Sequence, residues 1–166
     1  MLRRLALGLG VAGLLGISAL TGIGGASAAQ PSVCVLKGTA HITPGLAVAK
    51  RSFSYTFSGS FTNCHGSDAS IKSGTVSASG SGSGGCTQST TSGFASITWN
   101  NGRTSSLSFK TTGATAALLV QGTISSGEFA GKAAKALLAF QATPTQCNTS
   151  AGVTTPTFTG VAEVAG

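Results

Sequence analysis

The sequence predicts an all-β fold, a single antiparallel β-sandwich or up-and-down barrel of about eight strands, stapled by two disulfides. Three observations predict it. From Ser52 to Phe61 the aromatics Phe53, Tyr55, Phe57 and Phe61 fall on odd positions and hydroxyl residues on even ones. A period of two sends one set to a buried face and the other to water. Asn101-Gly102 separates two short apolar segments, the strongest short-range hairpin signal because both turn positions are expected to take positive φ. Finally, Cys34, Cys64, Cys86 and Cys147 all follow an export signal, and an even cysteine count in an exported chain reads as disulfides.

The export signal comes first along the chain. Met1-Leu2-Arg3-Arg4 is a short basic start, Leu5 to about Ile23 is apolar and glycine-studded, and Ala26-Ser27-Ala28 is an A-x-A cleavage site. These define a signal peptide over residues 1–28 and a single secreted β domain over residues 29–166. The apolar run is long enough to serve as a retained anchor, but its glycines and the placement of the A-x-A favour cleavage. No transmembrane segment is then expected in the mature chain. Cys34 lies too far past the run for a lipid anchor. Leu2 and Ala6 stand where a twin-arginine signal usually carries a hydroxyl residue and a phenylalanine. A chain that needs disulfides is also better served by crossing unfolded, so the general secretory route is expected.

Strand signals then follow in order. Cys34, Leu36, Gly38, Ala40 and Ile42 alternate with more polar residues, and Ser52 to Phe61 is the second strand. From Ser79 to Gly85 the chain is a low-complexity Gly-Ser run, which reads as flexible loop. Phe94 to Trp99 and Leu107 to Thr111 flank the Asn101-Gly102 turn, and Gly113 marks the next reversal before Leu118 to Ile124. Lys132 to Gln141 has strong local helix propensity, yet ten residues are marginal for a lone helix, and a strand is expected. Val153 to Val164 is the last strand, with Pro156 suggesting an edge or a bulge.

If strands alternate up and down, Cys34 opens the first and Cys64 closes the second, at one end. Cys86 precedes the fourth and Cys147 follows the seventh, at the other. The expected pairs are therefore Cys34–Cys64 and Cys86–Cys147. Zinc would require close pairs such as C-x-x-C, and the nearest two cysteines are Cys64 and Cys86. Once Arg3 and Arg4 are removed, eight cations face Asp68, Glu128 and Glu163, a net charge of about +5. The cations are scattered and not interleaved with aromatics, so nucleic acid is not an expected partner. The charge is read first as serving solubility, with weak association with anionic cell-envelope polymers as the alternative.

The phrases Cys34 to Thr39 (CVLKGT), Ser58 to Cys64 (SGSFTNC), Ser96 to Asn101 (SITWNN) and Gly122 to Gly131 (GTISSGEFAG), followed by Cys147 with Gly152-Val153-Thr154, resemble those of small exported β-rich proteins of actinomycete bacteria. The resemblance spans nearly the whole mature chain. It implies an exported β domain and assigns no activity or functional residue.

Catalytic constellations are sparse. The bases are His41 and His65, the acids Asp68, Glu128 and Glu163, and no G-x-S-x-G elbow occurs. His65 and Asp68 are close in sequence, but the Cys64-His65-Gly66-Ser67-Asp68 segment reads as a turn, where geometry is not held and no pKa is tuned. Glycosidase chemistry would need Glu128 and Glu163 to face each other. Gly80, Gly82 and Gly85 fit a dinucleotide-binding pattern formally, yet no helix follows to cradle a phosphate. No catalytic residue, cofactor or metal is expected. What remains is an apolar face of Phe53, Tyr55, Phe57 and Trp99. In a sandwich it fills the space between sheets; in a closed barrel it lines an apolar ligand pocket. The leading expectation is a non-enzymatic secreted domain acting by ligand binding or envelope association. The alternatives are an inhibitor of extracellular hydrolases, presenting polar loops such as the one from Ser79 to Gly85, and a small secreted hydrolase.

Overall fold

A computed structural model describes residues 30–114, 116–141 and 144–166; the signal peptide expected over residues 1–28 lies outside them. Eight strands follow one another: β1 (Ser32–Thr43), β2 (Arg51–His65), β3 (Gly74–Gly84), β4 (Gln88–Trp99), β5 (Thr104–Ala114), β6 (Ala117–Gly127), β7 (Ala133–Gln141) and β8 (Thr157–Val164). A 3₁₀ turn over Pro144–Asn148 precedes β8. Each strand pairs antiparallel with the next, and β8 returns to β1, where Ser32 lies opposite Val164 and Thr39 opposite Thr157. Of the two architectures left open by the sequence, the molecule adopts the closed up-and-down barrel. Among the described residues no helix is long and apolar enough to cross a membrane.

The period-two pattern runs around the whole wall. Leu36, Ala40 and Ile42 on β1 and Phe53 and Phe61 on β2 are buried, while the alternating Ser54, Thr56, Ser58 and Ser60 of β2 are exposed. The outward Ser58, Ser77, Ser96 and Ser106 are consecutive cross-strand partners on β2 to β5. Apolar inside and hydroxyl outside is the reverse of a transmembrane barrel, whose outer band is apolar.

The segment with helix propensity forms β7, as expected. Leu138 is buried and Lys135 exposed there, and the strand pairs with β6 on one side and β8 on the other. Two backbone ladders and an inward apolar row outweigh a local preference worth a few tenths of a kcal/mol per residue.

The run from Ser79 to Gly85 corrects the sequence reading. It is not a loop: residues 79–84 complete β3, hydrogen-bonded to β2 and β4 on both sides. Its serines face water, and its glycines face the axis under aromatic rings. A Cβ on Gly80 would stand 2.1 Å from the Ser92 carbonyl oxygen and 2.7 Å from the Tyr55 hydroxyl; on Gly82 it would meet the Thr90 carbonyl at 2.4 Å and the Phe53 ring at 3.0 Å. Glycine here is a packing partner for a large neighbour. The Asn101-Gly102 turn also differs in detail. Only Gly102 has positive φ, at 81°. Its N–H donates to the Trp99 carbonyl at 2.9 Å, and the Trp99 N–H donates to Arg103 at 2.9 Å, a three-residue loop ending on a left-handed glycine. The reversal expected at Gly113 comes after Ala114, since Gly113 still pairs with Leu118. The last strand starts at Thr157, not Val153; Val153 instead bridges Leu46, and Pro156 is fully buried just ahead of β8.

Both expected disulfides form, Cys34–Cys64 at one end of the barrel and Cys86–Cys147 at the other. With sequence separations of 30 and 61, loop closure gives each an upper contribution of about 3.5–4.5 kcal/mol.

Gly80→Ala is expected to destabilise the protein by about 1–3 kcal/mol through overpacking against β4, whereas Ser81→Ala on the outer face should stay within about 0.5 kcal/mol of wild type. Denaturant unfolding followed by the fluorescence of Trp99 measures both. Equal costs for the two would show that Gly80 is not a packing position.

Candidate functional site

The Cys34–Cys64 end of the barrel is closely packed. Ile97, Trp99 and Ile124 are 4%, 4% and 1% exposed. The Trp99 indole stacks on Phe61 at 5.5 Å and meets Phe129 edge-on at 5.8 Å. Trp99 Nε1 donates to Ser105 Oγ at 2.9 Å, and Ser105 Oγ donates to the Glu128 carbonyl at 2.7 Å, so the one polar atom of the indole is satisfied inside the core. Phe129 holds φ 63°, a left-handed backbone that bulky residues seldom adopt. Bonds from Ala130 N to Gly127 O and from Lys132 N to Phe129 O fix the turn around it. Its ring closes this end.

Towards the middle the barrel becomes hollow. Tyr55, Phe57, Leu107, Phe109 and Val120 point at the axis yet stay partly accessible. They surround a cavity of about 180 Å³ that continues to Cys86, Ser89 and Gly113 at the other end. An eight-stranded barrel is just wide enough either to fill with side chains or to hold one small ligand, and this one does the first at one end and the second in the middle. At the Cys86–Cys147 end the cover is partial. Leu46 and Val153 pair through reciprocal backbone bonds of 2.9 and 2.7 Å and are buried, while Gln88 and Ala117, also lining the cavity, are exposed.

One polar feature interrupts the lumen. Thr91 on β4 and Thr111 on β5 share a hydroxyl–hydroxyl bond of 2.8 Å, and Thr91 Oγ1 donates to the Tyr55 hydroxyl of β2 across 3.5 Å. Gly80 and Gly93 make the room, for a Cβ on either would lie 2.7 or 2.6 Å from the phenol oxygen. Burial raises the Tyr55 pKa above its ordinary value, and the hydrogen bond from Thr91 offsets part of the rise.

All four residues singled out from the sequence, Phe53, Tyr55, Phe57 and Trp99, line the barrel interior. They do not share one environment. Phe53 and Trp99 are 6% and 4% exposed and serve as packing, whereas Tyr55 and Phe57 border the void. Thr91 went unrecognised because the fourth strand, read as starting at Phe94, in fact starts at Gln88; Thr111 closes the segment read as a strand from Leu107 and was not singled out. Continuing the alternation backwards from Trp99 through Ile97, Ala95 and Gly93 reaches Thr91 on the same face.

Apart from the Tyr55 phenol, the acids and histidines lie on the outer wall or at the rims. His41 is exposed on β1. His65 Nδ1 lies 3.1 Å from the Asn63 carbonyl. Asp68 Oδ1 accepts from the Ser70 N–H and hydroxyl, which hold its carboxyl below the usual range. Arg103 bridges Asp68 at 3.4 Å and Glu128 at the rim of the packed end. Glu163 is outward on β8, opposite Lys135. Among the described residues no group of three or more His, Cys, Asp or Glu side chains could hold a metal ion.

Two other surface features compete less well. A groove of about 700 Å³ runs over Ser52, Ser54, Ser81, Ser83, Thr90 and Lys110, but it lies open on the outer face, where water already satisfies its hydroxyls. Leu119, Leu137 and Val161 form a cross-strand row on β6 to β8, exposed by 41%, 62% and 50%. Three side chains make a patch of the size that monomers ordinarily carry. Comparison with protein-family models, with curated proteins and with solved structures finds no match for this chain.

Tyr55 is the only tyrosine in the chain, so phenolate absorbance reports it alone. Its ionisation in the folded barrel is expected above the ordinary value of 10.0. The unfolded chain then releases this proton first, so stability should fall as pH rises through and beyond that value. Ultraviolet titration of native and denatured protein checks the order; coincident curves would mean the phenol is solvated.

Proposed function

We propose that the chain is an exported, non-enzymatic binding protein whose lumen takes up one small, mainly apolar molecule. The observation that carries this reading is the partly hollow interior: an apolar void of about 180 Å³ in a barrel whose other end is narrowed by the packed rings of Phe61, Trp99 and Phe129. Engineered apolar cavities of about 150 Å³ stay dry and admit benzene or xenon. A ligand entering such a space gains contact with its whole lining and displaces little ordered water. The partial cover at the Cys86–Cys147 end offers the access route, and the disulfide there keeps the rim from collapsing inward.

Export is supported by the n-region, apolar run and A-x-A of residues 1–28, and by two disulfides, which fit an oxidising compartment. The inhibitor reading loses one of its motives, since residues 79–84 are barrel wall. A histidine-based hydrolase loses support from the separation of His41 and His65 from the lumen. Envelope association keeps only its diffuse positive charge.

Two outcomes follow. Material recovered from culture medium should begin at or near Ala29 by N-terminal sequencing; an intact Met1 would remove export from the proposal. Small neutral hydrophobes such as benzene, cyclohexane and cyclohexanone should raise the unfolding temperature of the purified protein, because any ligand bound only by the folded state stabilises it. Ala78→Leu, which fills the lumen from β3, should weaken that binding at least about tenfold, a loss of roughly 1.4 kcal/mol, while the barrel stays folded. Absence of a shift with every ring size tested would rule out a ligand-binding lumen.

A further inference from the structure

We infer that the lumen selects a neutral ligand carrying one hydrogen-bond-accepting oxygen, such as a ketone on an apolar ring, and that the Tyr55 phenol is the group that reads it; the inference rests on the lumen being the binding site.

A count of hydroxyl protons leads there. Tyr55, Thr91 and Thr111 supply three donors. The chain of contacts between them uses two: Thr91 donates to Tyr55, so the Thr91–Thr111 bond must run from Thr111 to Thr91. The Tyr55 O–H is left over. Among the described residues the Tyr55 hydroxyl has no hydrogen bond besides the one from Thr91, and the wall strands on either side spend their backbone carbonyls on the β2–β3 and β3–β4 ladders. A buried tyrosine hydroxyl ordinarily finds a partner. Here the side that is open to one is the side that faces the cavity.

The chemistry of that partner follows from the surroundings. Beside Tyr55 the lining includes the apolar Phe57, Ala78, Leu107, Phe109 and Val120, while Gln88, Ser89, Lys135 and Glu163 border the cavity towards its ends. A carboxylate or phosphate seated at Tyr55 would have to be stripped of water among these apolar side chains with one neutral donor beside it, which is heavily unfavourable. A pure hydrocarbon fits the volume but leaves the phenol proton unsatisfied. A neutral acceptor satisfies both demands, and the void limits the apolar body to about one ring.

Calorimetric titration of wild type and Tyr55→Phe with cyclohexanone and methylcyclohexane tests this. The ketone is better hydrated in water, so the change on substitution is the readout, not the ratio in wild type. Tyr55→Phe should weaken cyclohexanone about five- to tenfold, as for loss of one neutral hydrogen bond, and leave methylcyclohexane unchanged or tighter. A parallel measurement needs no variant: the carbonyl carbon of labelled cyclohexanone bound to wild-type protein should resonate downfield of its position in hydrocarbon solvent. If both ligands bind but respond equally to Tyr55→Phe, or if the bound carbonyl resonates as in hydrocarbon, the role of Tyr55 is overturned while the lumen remains a binding site. If neither ligand binds wild type, the lumen reading itself falls.

Discussion

β1 is hydrogen-bonded on both sides, to β2 along its whole length and to β8 from Ser32 to Thr39. The second of these ladders makes a sheet into a barrel. Without it the eight strands form a meander with two raw edges, a template for pairing with other chains, and the inward rows of apolar side chains face nothing. With it every strand has two neighbours, and one face of all eight converges on an axis. The ladder joins residues from opposite ends of the barrel's sequence, so it bears the largest loop-closure cost in the fold. The two disulfides reduce that cost where it matters. Cys34–Cys64 ties β1 to β2 beside the register shift between Val33 and Val35. Cys86–Cys147 ties the β3–β4 hairpin to the turn leading into β8, which delivers the last strand to the first.

Closure defines an inside, and the division between large and small side chains decides how full it is. Phe53 and Tyr55 on β2 lie over Gly82 and Gly80 of the next strand, and the Tyr55 phenol continues over Gly93 of β4. Rings and glycines together fill about the volume that two medium side chains would, but they place it unevenly. At the Trp99 end the rings of Phe61, Trp99 and Phe129 pack against one another. Around Tyr55 the glycines draw the ring sideways against the wall, and the axis stays open. The packed end and the hollow middle are therefore consequences of one packing rule applied to different neighbours.

Much of this was legible in the sequence. The aromatic-hydroxyl alternation from Ser52 to Phe61 fixes both faces of β2, and the starts and ends of strands sort the cysteines into their observed pairs. The segment from Lys132 to Gln141 could be read as a strand despite its helix-forming residues, because ten residues cannot hold a helix alone. The sandwich-or-barrel choice could not be read, since both present the same alternation and differ only in whether the first and last strands meet. The Gly-Ser run misled because glycine carries no hydrophobic signal. Its period is written in the serines alone, and their inward counterparts become meaningful only when the rings of β2 are known to lie over them. Thr91 was lost for a related reason: a threonine on an inward position reads as the polar end of a strand until the strand is seen to continue past it.

That inward threonine, with Thr111 and Tyr55, raises the question of why polar atoms occupy the middle of a mainly apolar interior. For stability alone, Phe at 55 and Val at 91 and 111 would keep the shape and remove the desolvation cost of three hydroxyls; replacing buried hydrogen-bonded groups by apolar isosteres is often neutral or stabilising. The outer wall is rich in serine and threonine, but there water competes for every bond and a hydroxyl discriminates little. Inside, the low dielectric strengthens each bond that is made and raises the cost of each that is not. A donor left without a partner in such a place disfavours the empty barrel and favours any occupant that supplies an acceptor. The same feature that costs stability when the lumen is vacant is therefore the feature able to confer specificity when it is filled, and the outer face, however rich in hydroxyls, has no equivalent.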